Sequence, residues 1–123
     1  MSLGQPTLGT RVAGLLLFEA GSIRLGPDAI YSVDNVARTA IEAGQKRIVV
    51  KGFADRVGSA AANLRLSRRR AEAVQAALIE RGVPAGLIRV EAWGEARGLV
   101  ETADGVPEPQ NRAVGIVMEP VER

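Results

Sequence analysis

One segment constrains the fold more than any other: a long helical pattern with a start signal and a stop signal. Ser59 is a good N-cap, since its hydroxyl can accept from a free N–H of the first helical turn. Gly82 stands at the C′ position, which needs a left-handed backbone, and Pro84 blocks continuation. Between these signals a helix is predicted over Ala60–Arg81. On a wheel of about 100° per residue, Leu64, Ser67, Ala71, Val74 and Leu78 form one stripe. A helix with one apolar stripe must bury it against a second layer.

The rest of the chain supplies that layer. Arg47–Phe53 reads as a strand around the β-branched run Ile48-Val49-Val50, followed by a turn over Ala54–Gly58. Val12–Phe18 reads as an earlier strand, apolar enough to be buried, and Glu19–Gly26 as a polar connection. Pro27 suits a first helical turn, and a helix follows over Ala29–Ala43 with the stripe Ile30, Val33, Ala37 and Ile41, stopped by Gly44. Leu87–Ala92 and Ala113–Met118 are the remaining strands, separated by a long polar loop over Gly94–Gln110. The order β-α-β-α-β-β predicts an α/β (α+β) two-layer sandwich. Two helices pack on one face of a small mixed four-stranded sheet. Residues 1–10 read as a lead-in and residues 11–123 as a single domain.

Composition narrows the chemistry. The 123 residues include neither cysteine nor histidine. That removes thiol nucleophiles, Ser-His-Asp triads, histidine bases and cysteine-based zinc sites, so no metal or cofactor is expected. Aromatic residues make up 3%, too few for a sheet that stacks nucleic-acid bases, and a net charge of +2 does not imply a polyanion partner. No run approaches the roughly 20 apolar residues of a membrane-spanning helix. No signal peptide is visible, and Met1-Ser2-Leu3 reads as an introduced start, so an anchoring or targeting segment is expected outside this chain.

Arg70 stands out. Arg68 and Arg69 fall outside the helix stripe on opposite flanks, whereas Arg70 falls inside its edge, one turn before Val74, with Asn63 on the same edge. A cation there needs a carboxylate partner or a ligand. Asp55 is the nearest candidate, in the turn between the second strand and this helix. A strand end beside a helix start is a common place for a ligand.

These residues carry a resemblance. Gly52-Phe53-Ala54-Asp55, Gly58, Asn63, Leu66-Ser67, Arg70-Ala71 and Val74 resemble the OmpA-like signature Gly-His-Thr-Asp, Gly, Asn-x-x-Leu-Ser-x-x-Arg-Ala-x-x-Val. The likeness extends through Leu78, Gly82-Val83, Gly94-Glu95 and Asn111-Arg112, and upstream through Phe18, Ser22 and Leu25, over about residues 12 to 119. It implies a periplasmic domain, associated with the outer membrane and cell wall of a Gram-negative bacterium, that binds peptidoglycan without catalysis. In that family an Asp and an Arg hold the diaminopimelate of the stem peptide, and the resemblance puts those roles on Asp55 and Arg70. Phe18, Asn63, Leu66 and Arg112 are candidate supporting residues. The parent protein is expected to be membrane-anchored, whether porin-like, lipoprotein or stator. The segment Thr102–Arg112 leans toward the first two.

The sequence departs from the signature at Phe53-Ala54 for His-Thr, at Ala62 for a frequent Tyr, and at Ala113 for a second Arg. Plainer roles stay open for each residue: Asp55 as a turn cap or purely structural partner of Arg70, Asn63 as a turn brace, Arg112 as a loop anchor, Phe18 as core or pocket wall, and Trp93 as half-buried packing. Rival functions are nucleic-acid binding through Arg65, Arg68, Arg69 and Arg70, glycan hydrolysis by Asp55 with Glu95, and protein contacts or homodimerisation. The scattered directions of the arginines argue against the first.

Overall fold

The structure, a computed structural model, describes residues 11–44, 46–95, 105 and 108–120. The predicted lead-in and most of the 94–110 loop lie outside the described residues. The element order is β1 (Arg11–Leu17), α1 (Pro27–Glu42), β2 (Lys46–Phe53), α2 (Ala60–Glu80), a 3-10 turn (Ala85–Leu87), β3 (Ile88–Gly94), a second 3-10 turn (Pro109–Asn111) and β4 (Ala113–Pro120).

The end signals of α2 act as the sequence implies. The Ser59 hydroxyl accepts from the Ala62 N–H at 3.1 Å. At the far end Gly82 adopts φ 98°, the Gly82 N–H donates to Ile79 O, and the Val83 N–H donates to Leu78 O. This Schellman pair satisfies two carbonyls that the helix would otherwise leave open.

The four strands form one mixed sheet in the order β1-β4-β2-β3. β2 and β3 run parallel, joined by the α2 crossover, and β4 runs antiparallel to both β1 and β2. Both helices bury their apolar stripes on one face. A single core joins Val33, Val36, Ala37 and Ala40 of α1 to Ala71, Val74 and Leu78 of α2. Beneath them lie Leu16, Ile48, Val50, Val114 and Ile116 of the sheet.

Small residues let α2 sit close to the sheet. A Cβ on Gly52 of β2 would lie 2.0 Å from the Ser67 carbonyl oxygen of α2, so only glycine permits this approach. The Ser67 hydroxyl donates to Leu64 O at 2.8 Å and accepts from the Gly94 N–H at 2.9 Å, pinning the helix to the end of β3.

Two expectations require correction. β1 is an edge strand, not a buried one: Leu16 is buried, but Val12, Leu15 and Leu17 are 78%, 48% and 54% exposed. Their side chains alternate across a strand that has helices over one face only. The α1 stripe is also rotated: Ile41 is exposed and Ile30 only half-buried, while Ala29, Val36 and Ala40 are buried. On α2 the expected Ser67, Ala71, Val74 and Leu78 are buried, and Leu64 alone of that stripe is exposed.

Candidate functional site

The candidate residues meet at one end of the sheet, where β2 ends, β4 begins and the 19–26 connection leaves β1. The Phe18 N–H donates to Arg112 O at 2.7 Å, and Arg112 Nε donates to Phe18 O at 3.1 Å. These two bonds extend the β1–β4 pairing and place the Arg112 side chain at the strand entrance.

The Asp55 carboxylate pairs there with Arg112. Arg112 Nη1 lies 3.1 Å from Asp55 Oδ2, which also accepts from the Glu108 N–H at 3.3 Å. Among the described residues Asp55 Oδ1 receives only the Val57 N–H, at a long 3.4 Å. The two side chains are 14% and 9% exposed, so this pair is partly desolvated, not a solvated surface contact.

Arg70 has other partners than the one expected. It makes no ion pair with Asp55, and it is fully buried, as its place inside the stripe implies, while Arg68 and Arg69 are exposed. Nε donates to Ser22 O at 2.9 Å, Nη1 to Phe53 O at 3.2 Å and Nη2 to Glu19 O at 3.1 Å. The guanidinium carbon lies 5.2 Å from the centroid of the Phe18 ring. A turn in the connection, closed by the Ser22 N–H on Glu19 O, aims two of these carbonyls inward. Burial pulls the Arg70 pKa below the usual guanidinium range, to about 10; the nearby Asp55 charge opposes this and the Arg112 charge adds to it. Arg70 therefore stays charged at neutral pH.

The remaining candidates surround this cluster. Asn63 Nδ2 donates to Val57 O and to Glu95 Oε1, each at 2.9 Å, bracing the turn against the end of β3. Glu95 is also 3.8 Å from Arg56. Phe18 is both core and site wall: it is 4% exposed, and its ring faces Arg70. Leu66 is half-buried on α2, outside the hydrogen-bonded cluster. Trp93 is half-buried on the sheet, its Nε1 donating to Glu91 Oε1 at 3.2 Å.

The departures from the signature fall at the margins. A Cβ on Gly115 would lie 3.9 Å from the Phe53 ring, which places that ring over β4 on the sheet face away from the helices. Only the Phe53 carbonyl serves the site. Ala54 and Ala113 are buried, and Ala62 is exposed on the first turn of α2.

The backbone acceptors of Arg70 escaped the sequence reading, because a carbonyl has no side-chain signature. The Asp55–Arg112 pair escaped it because 57 residues separate the partners. Among the described residues, one carboxylate and two guanidinium groups make a small cluster with one positive charge in excess. Such a cluster can receive a group carrying both a carboxylate and an ammonium.

Comparison with known proteins places this arrangement. The chain matches the OmpA family model over residues 17–112. It is 33% identical over 104 residues to the probable lipoprotein YiaD of Escherichia coli, covering 85% of this chain and 48% of that protein. It is 34% identical to a peptidoglycan-associated lipoprotein of Pseudomonas putida, over 79% of this chain and 58% of the relative. The chain thus spans about half the length of these relatives, both of which are lipoproteins by name. Among solved structures it resembles the peptidoglycan-associated lipoprotein from Burkholderia pseudomallei, with a TM-score of 0.79 and 25% identity, covering 85% of this chain and 89% of that one. The periplasmic domain of Helicobacter pylori MotB shares the fold at a TM-score of 0.69 and 21% identity, over 90% and 72% of the two chains. Family match, sequence identity and fold agree, and the chain belongs to the OmpA family.

Proposed function

We propose that this chain is a non-enzymatic module that attaches an envelope protein to the cell wall. It would hold the diaminopimelate of a peptidoglycan stem peptide at the end of the sheet, on the periplasmic side of the outer membrane. The observation that carries this reading is the partly desolvated Asp55, flanked by two arginines whose charges it does not balance. The side-chain end of diaminopimelate bears an α-ammonium and an α-carboxylate, the two groups such a cluster recognises. Family membership and relatives named for peptidoglycan association support it. Each charge-assisted bond contributes about 1.5–3 kcal/mol, so a single stem peptide is held weakly to moderately.

Co-sedimentation with purified insoluble peptidoglycan tests the reading. The folded wild type should pellet with the wall, and Asp55→Ala, checked by circular dichroism, should stay in the supernatant. A folded wild type that does not pellet would sink the reading. Release of soluble sugar from the wall would instead revive hydrolysis.

One observation favours a second reading, in which this surface makes protein contacts. The edge strand β1 shows Val12, Leu15 and Leu17 to solvent in one row. If that row drives dimerisation, Leu15→Lys with Leu17→Lys should shift sedimentation velocity from dimer to monomer.

A further inference from the structure

β1 and β3 are the two edges of the sheet, and they are guarded differently. β3 carries the charges of Arg89 and Glu91, paired at 3.0 Å. β1 has neither a charged residue nor a proline over residues 12–17. Its one irregularity, between Val12 and Gly14, leaves residues 14–17 in regular register with β4. The end of the strand tells which way its backbone points. The Phe18 N–H faces inward, donating to Arg112 O at 2.7 Å. Backbone groups alternate along an antiparallel strand, so Gly14 and Leu16 also face β4, and Leu15 and Leu17 face outward. Among the described residues no hydrogen bond engages those outward N–H and C=O groups. The same two residues hold side chains that are 48% and 54% exposed. A cavity of about 700 Å³ opens between Leu15, Leu16 and Leu17 and the start of α1 at Pro27 and Asp28, which leaves room at this edge for a further strand.

We infer that the edge takes a second copy of β1, antiparallel, about a two-fold axis through Leu16. This register sets Leu15 against Leu17 of the partner subunit, and Leu17 against the partner's Leu15. The two outward N–H groups of each strand then donate to the two outward carbonyls of the other. The exposed leucine side chains of the two strands pack together on the face away from the helices. Both helix layers stay on one face, because Leu16 meets the partner's Leu16. A two-fold pair needs a strand that fits itself, and here the open backbone groups and the exposed apolar side chains fall on the same residues, two apart. An axis through Leu15 would instead set Leu17 against the irregularity at Ala13. The inference rests on the protein-contact reading and names the second copy as its partner.

Sedimentation velocity and amide hydrogen exchange read by nuclear magnetic resonance, both followed against concentration, test the pairing. The chain should sediment as a dimer at millimolar concentration and as a monomer on dilution. The amides of Leu15 and Leu17 should exchange at least tenfold more slowly in the dimer than in the monomer. Leu17→Pro removes an outward N–H and no bond to β4, so it should keep its circular dichroism spectrum and stay monomeric. Should that variant not fold, the exchange rates of the wild type decide alone. A dimer whose Leu15 and Leu17 amides exchange as fast as the monomer's overturns the pairing and leaves protein contact through another face standing. A folded Leu17→Pro that dimerises like the wild type also overturns it. A wild type that is monomeric at every concentration overturns the pairing together with homodimerisation itself.

Discussion

Arg70 is the largest fully buried side chain among the described residues, beside a core built mainly of Leu, Ile, Val and Ala with Phe18 and Met118. Its three carbonyl bonds and the Phe18 ring offset the cost of burying its charge. Arg70→Met should therefore cost about 3 kcal/mol in urea unfolding, because the part-buried carbonyls of Glu19, Ser22 and Phe53 lose their donor together. The pH dependence has a definite sign. With the folded pKa lowered to about 10, the unfolded chain binds the extra proton only from about pH 10 upward. The burial penalty is thus present in full below that pH and relieved above it. Unfolding free energies measured from pH 6 to 9 should show no slope that Arg70→Met removes. At this scale the sequence disclosed the anomaly, a cation on an apolar stripe, and a carboxylate in the neighbouring turn. It did not disclose the pairing, since Arg112 is distant in sequence and carbonyls look alike at every position.

For the elements, the decisive contact is α2 on the ends of β2 and β3. The contact depends on Gly52: an added methyl there would meet the Ser67 carbonyl oxygen at 2.0 Å, and neither backbone can yield without moving the helix. Gly52→Ala should destabilise by about 3 kcal/mol or more, at the upper end of overpacking costs, read as a large fall in melting temperature. Ser67→Ala should cost about 1–3 kcal/mol, because the Gly94 N–H is left buried without an acceptor. Ser59→Ala, at the exposed start of α2, should cost only about 1 kcal/mol by loss of the cap. The existence and ends of α2 were legible because caps and stops are local chemistry. So was most of its buried stripe, Ser67, Ala71, Val74 and Leu78. The exposure of Leu64 was not, because it depends on how α2 lies on the sheet, at a distance that Gly52 permits and a wheel does not record.

On the scale of the whole molecule, β4 inserted between β1 and β2 brings the Asn111-Arg112 segment beside Asp55, and the β1–α1 connection closes over Arg70. One small site on a rigid two-layer domain predicts weak single contacts and strong repeated ones. Two copies joined by a flexible linker should bind insoluble peptidoglycan at least about 100-fold more tightly than one, with the affinity per site for a soluble stem peptide unchanged. The sequence by itself determined the element order, the helix caps, the two-layer architecture and the membership of Asp55 and Arg70 in one neighbourhood. Each of these follows from local periodicity, turn chemistry or adjacency along the chain. Only the tertiary structure decided that Arg112 completes the pair with Asp55, that Arg70 is sealed beneath main-chain carbonyls, and that β1 lies at an open edge. Those outcomes depend on strand order and on the distance between layers. Both arise from packing between segments far apart in the chain, which no local pattern encodes.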